Sequence, residues 1–345
     1  MSAEEERPPL ASRPSHPSLY AYARARLDAE PEGRLPTDPY PPPDDAGAPR
    51  GTAPLRHSDG VAAVQEALGP LLGPPGSDPG ATAEAVRHRL AELPVRGRTV
   101  TYAVDHMHLT DEPAARALGR HLVRTAPDLA SAHVGLALLD RLGEAADVPY
   151  LRVLGLVHGL TRPAVRALQP LDPRAAALLH LICHTERPCL RVLADAFASG
   201  NRRAATTALI EDPVGIDTVS PAQARLLAEA ADLAGLLRGG RIDPRLLVQA
   251  GRLLVRMAGE RDHDTQILLY GDAVEVCETV VRRVGELPPT AARAAVLVPL
   301  ARALDNGPCS LLPWREGQRE QLLDALGALL ASPDRAVFQR REAPI

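Results

Sequence analysis

Apolar positions in this chain recur at helical spacing, with little of the two-residue alternation of strands. In "RLLVQAGRLLVRM", Leu246, Leu247, Ala250, Leu253, Leu254 and Met257 fall at i, i+1, i+4, i+7, i+8 and i+11, while Gln249, Arg252 and Arg256 lie off that stripe. A helix here must bury one face. Leu322, Leu323, Leu326, Leu329 and Leu330 repeat the spacing near the C-terminus. Asp172-Pro173, Ser220-Pro221 and Asp243-Pro244 each set a capping side chain before a proline suited to the first helical position. The one β-branched alternation, "RTVTYAV" at 98–104, also places Val100, Val104 and Met107 on one helical face. The pattern predicts an all-α body of roughly a dozen helices joined by short loops.

The first segment differs. Of 34 prolines, 12 fall within the first 54 residues, three of them in "YPPPDD", amid Ser, Asp, Glu, Arg and Ala. That composition predicts a disordered Pro-rich arm over 1–55, followed by a helical-repeat domain over 56–335 and a tail over 336–345. Inside the arm, "SLYAYARARL" carries Leu19, Tyr22, Ala23 and Arg26 at helical spacing, a short helix able to fold onto the body or a partner.

Residues 138–168, "LLDRLGEAADVPYLRVLGLVHGLTRPAVRAL", resemble a HEAT repeat. A first helix ends at Leu142-Gly143, an Asp147-Val148-Pro149 turn leads into a second through Leu151 and Leu154, and Val165-Arg166 opens the next. The resemblance implies an α-solenoid of HEAT-like stacked helix pairs, with Asp147 capping the second helix and the Arg meeting neighbouring turn groups. The long tail of the chain also resembles uncharacterised HEAT-like proteins of high-G+C bacteria, a likeness that implies no particular activity.

Composition narrows the chemistry. All 39 basic residues are arginine, which excludes a P-loop lysine, a kinase β3 lysine, a Schiff-base lysine and a Ser-x-x-Lys nucleophile. The net charge of -4 gives no general attraction to nucleic acid or anionic membranes. "MSAEEERPPL" lacks an apolar core for a signal peptide, and no run of 18 apolar residues occurs, so a cytoplasmic protein is expected. Four cysteines are too few for a disulfide scaffold.

The closest approach to metal chemistry is "HLICHTERPC". On a helix starting at Pro173, His180, Cys183 and His184 share an arc of about 100°, and Cys189 completes four zinc ligands if the loop folds back. The spacing matches no paired-knuckle pattern, and the apolar Leu178, Leu181 and Ile182 lie almost opposite. In "DHMHLTDE", Asp105, His108 and Glu112 form an acid–base or metal set if one helix runs through, whereas "TDEP" reads as a helix start. "RDHDTQ" reads as a solvated turn around His263, and Trp314 as packing for the last helix.

No nucleophile elbow, metalloprotease motif or phosphate loop is present. The reading is a non-enzymatic HEAT-like protein-binding module with an unidentified protein partner, without membrane or nucleic-acid contact and without a cofactor. A zinc-dependent enzyme or sensor built on His180, Cys183, His184 and Cys189 is the alternative. A DNA-binding helical repeat using the arginines of "NRRAATT", "LRGGRIDPR" and "VVRRVGE" is the second.

Overall fold

The structure, a computed structural model, describes residues 18–30, 35–36, 38–44, 53–72, 78–184, 188–212, 214–239, 242–259, 265–287 and 290–331, with backbone alone at 183–184 and 188–189. The chain divides into two compact units, Met1–Cys183 and His184–Ile345. The first holds α1 (Leu19–Asp28), α2 (His57–Leu72), α3 (Pro79–Ala91), α4 (Gly97–Asp105), α5 (Glu112–Thr125), α6 (Leu129–Leu142), α7 (Val148–Leu154), α8 (Thr161–Leu168) and α9 (Pro173–His184). The second holds α10 (Pro188–Ala198), α11 (Arg202–Glu211), α12 (Pro221–Ala230), α13 (Leu233–Leu237), α14 (Pro244–Met257), α15 (Gln266–Leu269), α16 (Ala273–Val284), α17 (Ala291–Asp305) and α18 (Gln318–Ala331). Among the described residues there is no strand, only an isolated parallel bridge between Tyr40 and Val157. None of the described helices is long and apolar enough to cross a membrane.

Local signals account for the helix ends. Asp172 accepts from the Ala175 N–H at 2.9 Å, Asp243 from the Arg245 N–H at 2.8 Å, and Ser220 forms a reciprocal capping box with Gln223. The α14 stripe is buried as its periodicity requires, and Gln249 is buried beside it, accepting from Arg252 at 2.7 Å. "RTVTYAV" forms α4, with Val100 and Val104 fully buried. In α18 only Leu322 and Leu326 of the leucine stripe are fully buried.

Packing follows two rhythms. Sequence neighbours pair, α2 with α3, α5 with α6 and α7 with α8. Alternate helices also touch, so that α2, α4, α6 and α8 form one row and α3, α5 and α7 another. In the second unit the alternate row is α10, α12, α14, α16 and α18. Helix α6 lies between α4 and α8 with α5 alongside, and every residue from Ser131 to Leu139 is buried. A helix apolar nearly all round is the sequence correlate of that position.

Glycines let α5 and α6 approach closely. A Cβ on Gly135 would lie 2.9 Å from Leu122 Cβ and 3.1 Å from the Val123 nitrogen, atoms that cannot swing away. Gly135→Ala gains about 1 kcal/mol of helix propensity but forces the pair apart, and a net loss of about 2 kcal/mol is expected in urea unfolding followed by circular dichroism.

Three expectations change. The arm is not wholly disordered: Ser18 caps α1, Leu19 and Ala23 are buried, α1 packs on α5 and α7, and the Tyr40 N–H donates to Leu156 O at 2.7 Å. The apolar face of α1, short as it is, finds a groove on the body. The boundary between the two compact units falls inside "HLICHTERPC". Asp147 does not cap α7: its side chain accepts from the Glu144 N–H at 2.9 Å, closing a 3-10 turn over Ala145–Asp147, and pairs with Arg120 of α5 at 2.8 Å. Val165-Arg166 lies within α8, which starts at Thr161.

Candidate functional site

The first unit carries a cleft of about 1200 Å³ along the row of α4, α6 and α8. Its lining includes the apolar Leu90, Leu93, Val95, Leu129, Ala130 and Pro163. The charged lining residues are Arg87, Arg96, Arg98, Arg162 and Arg166 against Asp105 and Asp128. Two of the arginines are committed: Arg87 pairs with Glu84, and Arg166 reaches Asp105 at 2.7 Å and Asp140 at 2.8 Å, tying α8 to α4 and α6. Burial raises the Asp140 carboxyl above its ordinary value, and Arg166 opposes that shift. No hydrogen bond or ion pair among the described residues engages the side chains of Arg96, Arg98 or Arg162.

The first turns of α4, α6 and α8 contribute Gly97, Leu129 and Arg162 to the lining, and helix N-termini carry partial positive charge. Asp128 closes α6 by accepting from the Ser131 N–H at 2.8 Å. The caps of α4 and α8, Arg96 and Leu160, make no side-chain bond.

At the cleft wall His133, 7% exposed, shares a 3.0 Å hydrogen bond between its Nδ1 and the Thr101 hydroxyl. Burial lowers its pKa to about 4, so the ring is neutral at pH 7. A Cβ on Gly97 would fall 2.0 Å from His133 Nε2. Only glycine leaves room for the ring at the start of α4.

No family model, curated protein or solved structure matches the chain. The functional reading therefore rests on these residues alone.

Of the proposed zinc ligands, His180 lies half-buried on α9, while the side chains of Cys183, His184 and Cys189 lie outside the described residues. Asp105, His108 and Glu112 are not brought together on one helix. α4 stops at Asp105, His108 is exposed, and α5 starts afresh with Asp111 accepting from the Ala114 N–H at 2.9 Å. Among the described residues no three His, Cys, Asp or Glu side chains converge as a metal-binding group. His263 lies outside the described residues. Trp314 donates from Nε1 to Cys309 O at 2.8 Å, bracing the turn before α18.

The arginine clusters singled out for DNA are largely engaged: Arg202 donates to Gly235 O and Leu236 O, Arg238 pairs with Glu275, and Arg282 with Glu278. Cys277 and Cys309 are buried, and the Cys277 hydrogen bond with Cys309 together with full burial pushes its thiol well above the ordinary value, which makes it a poor nucleophile.

Sequence reasoning missed Arg96, Arg98, Arg162 and His133. Two signals pointed to three of them, a glycine between two arginines in "VRGRT" and a lone histidine inside the apolar run "SAHVGLALL", and none to Arg162.

Proposed function

We propose that the chain is a non-enzymatic binding module of HEAT-like stacked helix pairs whose cleft in the first unit holds a partner polypeptide bearing apolar side chains and carboxylates. The carrying observation is that apolar residues and Arg96, Arg98 and Arg162, three cations with no side-chain partner among the described residues, line the same cleft. Cations left unpaired beside apolar surface are complementary to an acidic, amphipathic ligand. The paired and alternate helix contacts support the HEAT-like reading, because stacked pairs produce both. A cleft of about 1200 Å³ exceeds the roughly 300–1,000 Å³ typical of small-molecule sites and suits a peptide segment.

Peptide display on the full chain tests this. Enriched sequences should combine Leu, Ile or Val with Asp or Glu, and their affinity should fall at least about tenfold for Arg162→Glu and for Ala91→Trp, which fills the cleft from an exposed position. No enrichment, or peptides that bind both variants as well as wild type, would overturn the proposal.

A further inference from the structure

We infer that the open N-terminus of α4 is the point at which the cleft takes a carboxylate of the bound polypeptide. The choice of carboxylate among anions rests on the polypeptide-binding reading above; the anion point does not. Helix α4 has nine residues, its N-cap Arg96 makes no capping bond, and the N–H groups of Gly97 and Arg98 have no acceptor among the described residues. Such amides, with the helix dipole behind them, favour an anion. Arg96 and Arg98, whose guanidinium groups have no partner among the described residues, line the cleft on either side of Gly97 in the chain.

His133 supplies an independent observation. It is more than nine-tenths buried, lines the cleft, and has no partner for Nε2 among the described residues, yet that nitrogen lies beside Gly97 where a Cβ would collide with it. The Thr101–Nδ1 contact is compatible with either ring tautomer; in the one proposed, Thr101 donates its hydroxyl proton to Nδ1 and the ring hydrogen resides on Nε2. Amides, guanidinium groups and imidazole then present donors only, the complement of an ionised carboxylate, which only accepts. The two carboxylates already lining the cleft do not fill this role, since Asp128 is held by the Ser131 N–H and hydroxyl and Asp105 by Arg166.

The test titrates ¹⁵N-labelled full chain with 4-methylpentanoate, a branched apolar tail on a carboxylate, and with 4-methylpentanamide, its uncharged match. The acid should shift the Gly97 and Arg98 amide resonances saturably, with the amide at least about tenfold weaker. An Arg96→Gln/Arg98→Gln double variant, altered only at exposed side chains with no partner among the described residues, should weaken the acid at least about fivefold and leave 4-methylpentanamide unchanged. Equal affinity for acid and amide, shifts confined to other residues, or tighter saturable binding of inorganic phosphate at these two amides would overturn the assignment. If acid binds as stated but peptide selection fails, the polypeptide reading falls and the anion point stands. If peptides are selected but acid does not bind, the anion point falls and the polypeptide reading stands.

Discussion

Acidification from pH 7 to pH 4 is expected to remove about 3 kcal/mol of stability through His133 alone. Burial lowers the folded-state pKa to about 4, against an ordinary value of 6.5. The unfolded chain therefore takes up a proton below pH 6.5 that the folded chain refuses until about pH 4. Stability from the buried neutral ring is present above pH 6.5 and is lost as the pH falls through that window. At about 1.36 kcal/mol per pKa unit, the shift corresponds to about 3 kcal/mol. Carboxylates titrate over part of the same range, so the measurement is a difference. Urea unfolding of the full chain, followed by circular dichroism, is compared between wild type and His133→Asn, which keeps a polar atom near Nδ1 for Thr101 but does not titrate. The variant's profile should be flatter by about 3 kcal/mol between pH 7 and 4. Parallel profiles would show that the ring is protonated in the folded protein without penalty.

Arg120→Ala is expected to cost about 3 kcal/mol at pH 7. Asp147 is 1% exposed, and its carboxylate receives Arg120 Nε at 2.8 Å, Arg120 Nη2 at 3.1 Å and the Glu144 N–H at 2.9 Å. Truncating the arginine strands a buried charge on one remaining donor. The exposed half of the network, Arg120 with Glu144 at 2.6 Å, contributes little because water screens it. Adding Asp147→Asn to Arg120→Ala should restore more than about 1 kcal/mol, since the amide still accepts from Glu144 without a buried charge. A loss under about 1 kcal/mol for Arg120→Ala would mean that the pair behaves as a surface contact.

The HEAT resemblance singled out Asp147 on the residues Asp-Val-Pro, and the residue is central to the packing of the first unit. Its partner was not legible. Arg120 lies 27 positions earlier on α5, and no local pattern distinguishes it from the neighbouring Arg116 and Arg124. At Asp105, His108 and Glu112 residue types offered a site, but "TDEP" read locally as a helix start, and Asp111 does cap α5 there. Both outcomes follow from range: a cap acts within about four residues, whereas an ion pair between helices depends on how they stack.

What the amino-acid sequence by itself determined is the all-helical class, the starts of α5, α9, α12 and α14, and the stripe that α14 buries, because periodicity, proline position and capping side chains act over a few residues. Roughly a dozen helices were expected where the described residues hold eighteen, since short helices such as α13 and α15 carry too few turns to show a period. Tertiary structure alone decided that α1 packs on the body, that α6 is enclosed by its neighbours, and that a cleft lies along α4, α6 and α8. The Arg96–Arg98 stretch, His133 and Arg162 come from three separate parts of the chain and line one cleft only when those helices stack. The depressed basicity of His133 has the same origin, since burial against Gly97 and Thr101, and no neighbouring residue type, disfavours its charge.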